Sequence, residues 1–323
     1  MEIQAYDVTA SVDREGRVVE RAANVPGVSV QSDSHDESPV RLVGREREIG
    51  LLRDELQRVL DGHGRLVLVF GEAGIGKTSL VSVLAHQAEA QGCLVLWGHA
   101  YDLSVTPPYG PWLDMLSEYP HDVDGLPRPS FAPAASSQAA AGSQDALFAD
   151  IASFFQETAV RRPLVLVIDD LHWSDQGSLD FLRFLARQIG AHRILLIATY
   201  RSDELHRHHP LYDLLPLLIR ESVAERVEVR RRDAEGHRSL IASRYVMSEE
   251  DAARLEQHLH SHAEGNPFFA LELLRNLEEE GALRQVSGVW SLGDTSRFRI
   301  PPLIRQVIER RLARLGDQER SLL

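Results

Sequence analysis

The stretch Leu66-Val67-Leu68-Val69-Phe70-Gly71-Glu72-Ala73-Gly74-Ile75-Gly76-Lys77-Thr78-Ser79 decides the fold. Its apolar start predicts a strand buried on both faces, as strands of a parallel sheet are. Gly71 to Thr78 then fit G-x-x-x-x-G-K-[ST], and the residues from Thr78 to Ala90 predict a helix. Strand, glycine-rich loop and helix in that order make a phosphate-binding loop. The glycines let the main chain curl until successive N–H groups face one anion, and the helix adds the positive end of its dipole. In this reading Gly71, Glu72, Ala73, Gly74, Ile75, Gly76, Lys77, Thr78 and Ser79 cradle a nucleotide. Lys77 reaches the β- and γ-phosphates. Thr78 offers its hydroxyl to Mg²⁺, an ion that keeps several waters and takes one or two protein ligands.

Outward from the loop, Leu164-Val165-Leu166-Val167-Ile168-Asp169-Asp170 ends another buried strand on two carboxylates. Taken alone, such a pair fits a turn or a helix cap. Beside a phosphate loop, Asp169 is predicted to hold the metal shell and Asp170 to orient or deprotonate the attacking water. Ile194-Leu195-Leu196-Ile197-Ala198-Thr199-Tyr200-Arg201 ends a further strand on an arginine. Ligands bind at the C-terminal edge of parallel strands, so Arg201 is predicted to sense the γ-phosphate and to lose that contact after hydrolysis. A surface arginine beside a helix cap at Ser202 is the competing reading. Leu94 to Trp97 predicts one more strand, Arg45 to Leu60 and Gly177 to Ile189 predict helices, and strands alternating with helices imply an α/β fold with a parallel sheet.

Lys77 is the only lysine among 35 basic residues. A guanine-specific GTPase needs a second lysine for its base, a protein kinase needs a strand lysine outside any such loop, and a pyridoxal enzyme needs one for its Schiff base. All three classes fall. The formal charge of -13 argues against a surface that wraps nucleic acid or anionic lipid. One cysteine, Cys93, makes no internal disulfide and reads as a buried thiol. The apolar runs are too short to span a membrane, and the N-terminus lacks a secretion signal, which predicts a cytoplasmic protein without a membrane partner.

Composition divides the chain. Residues 1–38 are acidic with one aromatic, Tyr6, and predict a disordered leader. Residues 39–205 form the nucleotide core, interrupted by a Pro-, Ala- and Ser-rich surface insertion over 127–143. Helical patterns at Leu211 to Ile219, Ala234 to Tyr245, Glu249 to His260 and Pro267 to Glu280 predict a helical lid over 206–297, with a hairpin from Ala282 to Leu292 turning at Gly288. His258, His260 and His262 read as cations at a helix C-terminus rather than zinc ligands. Likewise, Arg230-Arg231-Arg232 read as solvated helix ends or interdomain pairs rather than a nucleic-acid contact.

Four motifs together resemble the STAND ATPases, multidomain signal-transduction ATPases, and among them the large ATP-binding regulators of the LuxR type. They are Val43-Gly44-Arg45-Glu46, Asp169-Asp170-Leu171-His172-Trp173-Ser174-Asp175, Thr199-Tyr200-Arg201 and Gly265-Asn266-Pro267-Phe268-Phe269, and the resemblance runs from about Pro39 to Leu323. It implies that Val43, Gly44 and Arg45 lie against adenine and that Pro267 brings the lid to the base. It also implies a RecA-like five-stranded sheet with an extra strand between the two Walker strands, for which Leu94 to Trp97 is the candidate. Residues 298–323 look like the start of a winged helix. Regulators of this type continue into a helical-repeat sensor and a DNA-binding module, so the resemblance implies a fragment or a truncated switch that would meet DNA only through modules absent from this chain. The function expected is a slow, Mg²⁺-dependent ATPase acting as a switch, with ATP and ADP as partners and self-association in the ATP state. A motor ATPase working on DNA or protein, and a nucleotide-locked scaffold, are the rival readings.

Overall fold

Alternation along one strand puts Leu66 and Leu68 on one face and Val67 and Val69 on the other, and in the computed structural model all four are fully buried. The structure describes residues 10–12, 18–20, 44–102, 108–120, 123, 125–129, 144–222 and 224–294. Val43, the segment 130–143 and residues 298–323, expected to begin a winged helix, lie outside them, as does most of the predicted leader. Within 1–38, Ala10–Val12 (β1) and Val18–Glu20 (β2) pair antiparallel, Ala10 opposite Glu20, where composition predicts no regular element.

From Val40 onward a second unit begins. Its five-stranded sheet is parallel, in the order β4-β5-β6-β3-β7. The strands are Arg65–Gly71 (β3), Leu94–His99 (β4), Leu164–Asp169 (β5), Ile194–Arg201 (β6) and Glu225–Glu228 (β7). Each apolar layer follows the pleat. On one face, Leu66, Leu68, Leu164, Leu166, Leu196 and Ala198 pack with Trp112, Phe155 and Phe181 from Gly110–Ser117 (α3), Gln144–Arg161 (α4) and Gln176–Ala186 (α5). On the other, Val67, Val69, Val165, Val167, Leu195 and Ile197 meet Leu52, Leu56, Leu80 and Leu84 from Glu46–Leu60 (α1) and Lys77–Ala90 (α2). Burying such side chains contributes about 1.5–3 kcal/mol each.

The α/β P-loop architecture predicted from sequence is the one observed, with three corrections. The strand between the two Walker strands is β6, while Leu94–His99 lies at the outer edge beside β5, since β4 registers only with β5. The fifth strand is Glu225–Glu228, and its predecessor Pro210–Ser222 (α6) buries Leu211, Leu214 and Leu218 in the core. The predicted core-to-lid boundary at residues 205 and 206 therefore falls inside the sheet layer, which continues to Glu228. Helices α3 and α4 stand on either side of the predicted insertion, where the sequence analysis names no helix.

After the sheet come Ala234–Arg244 (α7), Glu249–Ala263 (α8) and Pro267–Glu279 (α9), which enclose a separate cluster of Ile241, Leu255, Leu259, Phe269, Leu273 and Leu274. Each start is capped: Asp233 accepts from Gly236 N, Ser248 from Asp251 N and Asn266 from Phe268 N, with Pro267 in the first turn of α9. The hairpin Leu283–Val286 (β8) and Val289–Leu292 (β9) turns at Ser287 and Gly288, both with positive φ.

Candidate functional site

Parallel register brings the C-terminal ends of three strands together, with Gly71 opposite Arg201 and Ile168 opposite Ala198. Around this edge, Gly74, Gly76, Lys77, Thr78, Ser79, Asp170, Arg201, Pro267, Phe268 and Leu271 line a cleft of about 290 Å³. Of these, only Phe268 and Leu271 are not among the residues expected to hold nucleotide or metal or to act on the phosphates.

The loop wraps a buried ammonium. Lys77 Nζ donates to Gly71 O at 3.2 Å and to Glu72 O at 3.0 Å, and burial pulls its pKa below the ordinary lysine value, with Asp170 opposing. Gly71, Gly74 and Gly76 have φ of 155°, 73° and 97°. Those at Gly74 and Gly76 lie in the region that only glycine adopts without strain. The first N–H groups of α2 have no acceptor within their own helix, so the loop presents an anion-seeking end.

Beyond the loop, Thr78 Oγ1 lies 3.1 Å and 3.0 Å from the two oxygens of Asp169. Adjacent ligands of an octahedral Mg²⁺ stand about 3 Å apart for metal–oxygen distances near 2.0–2.1 Å. The donor set is hard oxygen and its spacing fits, so Thr78 and Asp169 are the residues that could hold the ion. Among the described residues no group of three or more His, Cys, Asp or Glu forms an alternative cage. Thr199, fully buried on β6, donates to Asp169 Oδ1 at 2.5 Å and accepts from Asp170 N at 2.9 Å. It thereby fixes both acids, a role the sequence reading missed.

Asp170 sits at φ 54°, a left-handed conformation that Asp tolerates better than most residues. Burial, then the neighbouring Asp169, raise its pKa above the ordinary aspartate value, against the pull of Arg201, His172 and Lys77. A carboxylate raised in this way is a better proton acceptor. Arg201 bonds Glu204 Oε1 at 2.8 Å, stands 3.7 Å from Asp170 Oδ1 and lays its guanidinium 4.5 Å from the Trp173 ring centre. His172 is buried beside them, with Nε2 3.4 Å from Glu204 Oε2 and Nδ1 3.9 Å from Asp170 Oδ1, neither aligned as a hydrogen bond.

On the far side of the loop, Gly44, Arg45, Glu46, Glu48, Arg230–Arg232, Asp233, Glu235, Gly236 and Ser239 line a polar cavity of about 490 Å³. Arg45 is buried and clasps two carbonyls, Ile75 O at 3.3 Å and Arg230 O at 2.6 Å, while Glu48 holds its other side at 2.9 Å. Two of these arginines tie the segment after β7 to its neighbours. Arg231 forks onto Glu72 at 2.9 Å and reaches Glu264 at 2.9 Å, and Arg232 N bonds Gly265 O at 2.7 Å. The expectation of interdomain pairs at Arg230-Arg231-Arg232 thus describes Arg231, although neither it nor Asn266 was singled out as part of the site.

Residues 41–197 match the family model described as the AAA ATPase domain. An uncharacterised protein of Rhizobium meliloti is 26% identical over 191 residues, which are 50% of this chain and 19% of that protein. The chain thus spans a small part of its curated relative. Among solved structures, Cdc6p from Pyrobaculum aerophilum aligns with a TM-score of 0.54 at 17% identity, covering 75% of this chain and 64% of that one. The Orc1 protein of Aeropyrum pernix in complex with DNA aligns at 0.50 and 19% identity, covering 84% and 67%. Drosophila ORC bound to DNA aligns at 0.51 and 14%, covering 81% and 65%. At these identities the likeness concerns the fold alone. Sheet order, phosphate loop and the match over residues 41–197 together support an AAA-like, nucleotide-binding ATPase.

Proposed function

We propose that this chain is a Mg²⁺-dependent ATP switch, the nucleotide-binding module of a signal-transduction ATPase of the STAND type and, within that group, of a LuxR-type regulator. The observation that carries the reading is the lid segment Gly265 to Phe268 resting on the phosphate loop, with Pro267 in one cleft with Lys77, Thr78, Asp170 and Arg201. A nucleotide seated there would touch both bodies at once. In this scheme the loop amides from Gly71 to Thr78 and Ser79 seat the phosphates, Lys77 bridges them, and the cavity bounded by Gly44 and Arg45 takes the base. Thr78 and Asp169 hold the metal, whose charge offsets that of the phosphates. Asp170 orients the attacking water and accepts its proton. Arg201 reports the γ-phosphate by leaving Glu204 for it.

The lid has its own apolar cluster and meets the loop through hydrogen bonds, the Arg231–Glu72 ion pair and the close approach of Phe268 to Gly74, so it can shift without opening either core. Moving such an equilibrium from 1:99 to 99:1 takes about 5.5 kcal/mol of differential binding. A γ-phosphate with its arginine and metal supplies interactions of that order. Calorimetric titration with MgATP tests the reading, with Lys77→Ala as reference. Wild type is expected to bind and the variant to lose at least about tenfold in affinity; equal affinity would overturn the assignment. Identical proteolytic patterns of the lid with ADP and with a non-hydrolysed ATP analogue would overturn the switch.

A further inference from the structure

Every carbonyl of the loop from Gly71 to Gly76 is met by a protein donor, and two of those donors come from the lid. Lys77 Nζ takes Gly71 O and Glu72 O, Arg45 Nη2 takes Ile75 O at 3.3 Å, and Leu80 N takes Gly76 O at 3.0 Å. The remaining pair belongs to the lid: Asn266 Nδ2 donates to Ala73 O at 3.0 Å and Phe268 N to Gly74 O at 3.2 Å. Because a trans peptide is planar, with its N–H and C=O on opposite sides, holding Ala73 O toward the lid turns the Gly74 N–H the other way.

Asn266 is 1% exposed and does two jobs with one amide. Its Oδ1 accepts from Phe268 N at 3.0 Å, capping α9, while its Nδ2 donates to the loop. Only this orientation of the amide satisfies both partners, since the reverse would face a carbonyl oxygen with another oxygen. Gly74 leaves no room for a side chain between them: a Cβ there would stand 2.8 Å from Phe268 Cβ and 3.3 Å from Asn266 Oδ1.

We propose that Asn266 is a positioning residue of the phosphate loop, whose amide orients the Ala73–Gly74 peptide for the β-phosphate so that the docked lid completes diphosphate recognition. The inference rests on the nucleotide reading above and adds to it a residue that touches no phosphate itself. By linkage, whatever lid docking contributes to nucleotide affinity, nucleotide contributes equally to lid docking.

Asn266→Ser separates the two jobs. Serine is as good an N-cap as asparagine but is too short to reach Ala73 O. Asn266→Thr serves as a second cap-competent variant. Displacement of a fluorescent ADP analogue by ADP and by AMP, with Mg²⁺ present, gives both affinities. With the Ala73–Gly74 peptide no longer held, the Gly74 N–H to the charged β-phosphate is forfeited, and ADP is expected to bind about tenfold or more weakly to the variants. AMP, which has no β-phosphate, is expected to change less than about twofold, while the lost Ala73 contact lowers the melting temperature of the nucleotide-free protein without preventing folding, since the helix cap is kept. An unchanged ADP affinity overturns the proposal. So do equal losses for ADP and AMP, which would show Asn266 acting on the lid as a whole. A wild type that binds neither nucleotide defeats the underlying reading and this inference with it, whereas binding by wild type with no selective loss defeats the inference alone.

Discussion

Thr199 does more with one hydroxyl than any other residue at the strand edge. It donates to the Asp169 carboxylate and accepts from the Asp170 N–H, so Asp169 and Asp170, the acids proposed to hold the metal and to orient the water, are fixed relative to each other through β6. Thr199→Val keeps shape and volume but leaves both partners short of a bond in a fully buried place, at a cost of about 1–3 kcal/mol. The expected outcome is a lower melting temperature and at least a tenfold fall in phosphate release (about 1.4 kcal/mol on the barrier), with both restored by Thr199→Ser. Wild-type stability and turnover in the valine variant would show the bridge to be idle. Lys77, Thr78 and the glycines were legible because their chemistry is contiguous: one curl of backbone carries it all. Thr199, Arg231 and Asn266 were not, since they act on residues 30, 159 and 193 positions away in the chain. No local pattern encodes which strand lies beside which, or where a lid lands.

The elements show the same division. Strands β3, β5 and β6 are read at once because both faces are buried and the apolar runs are unbroken. By contrast, β7 escapes because Glu225, Arg226 and Glu228 surround a single buried Val227, as suits an edge strand whose charge discourages further pairing. Helix α3 escapes as well: it is a short helix, and its place over the sheet depends on Gly98. A Cβ at Gly98 would stand 2.0 Å from Pro111 O, so α3 reaches the other edge strand only because β4 has no side chain there. Trp112 then bonds Ser178 O at 3.2 Å and stacks edge-on against Phe181 at 4.6 Å. Gly98→Ala is therefore expected to push α3 outward and destabilise the protein by about 1–3 kcal/mol. Thermal melting measures that loss, and Trp112 fluorescence reports the displaced ring; an alanine variant that melts with wild type would mean α3 yields without cost.

For the molecule as a whole, a lid built around its own core and tied down by polar contacts can answer to conditions that leave the sheet untouched, and acidity is one of them. His237 on α7 is fully buried, and neither ring nitrogen has a hydrogen bond. Burial first, then His260 and Arg232, depress its pKa below the ordinary histidine value of 6.5, while Glu256 and Asp233 pull the other way. His258 on α8 shifts in the same direction, again chiefly through burial. Around and below pH 6.5 the unfolded chain takes up protons that the folded lid refuses, so stability is complete above that value and is lost as the pH falls through it. His237→Leu removes the group and fills its place with apolar volume, which costs little because no hydrogen bond is given up. Its melting temperature is expected to match or exceed wild type at about pH 7.5 and to pull further ahead at about pH 5.5. Relief of the -13 net charge in acid acts on both proteins alike and cancels in their difference. Parallel melting curves across that range would mean His237 accepts its proton within the folded lid, through an opening the packed structure does not contain.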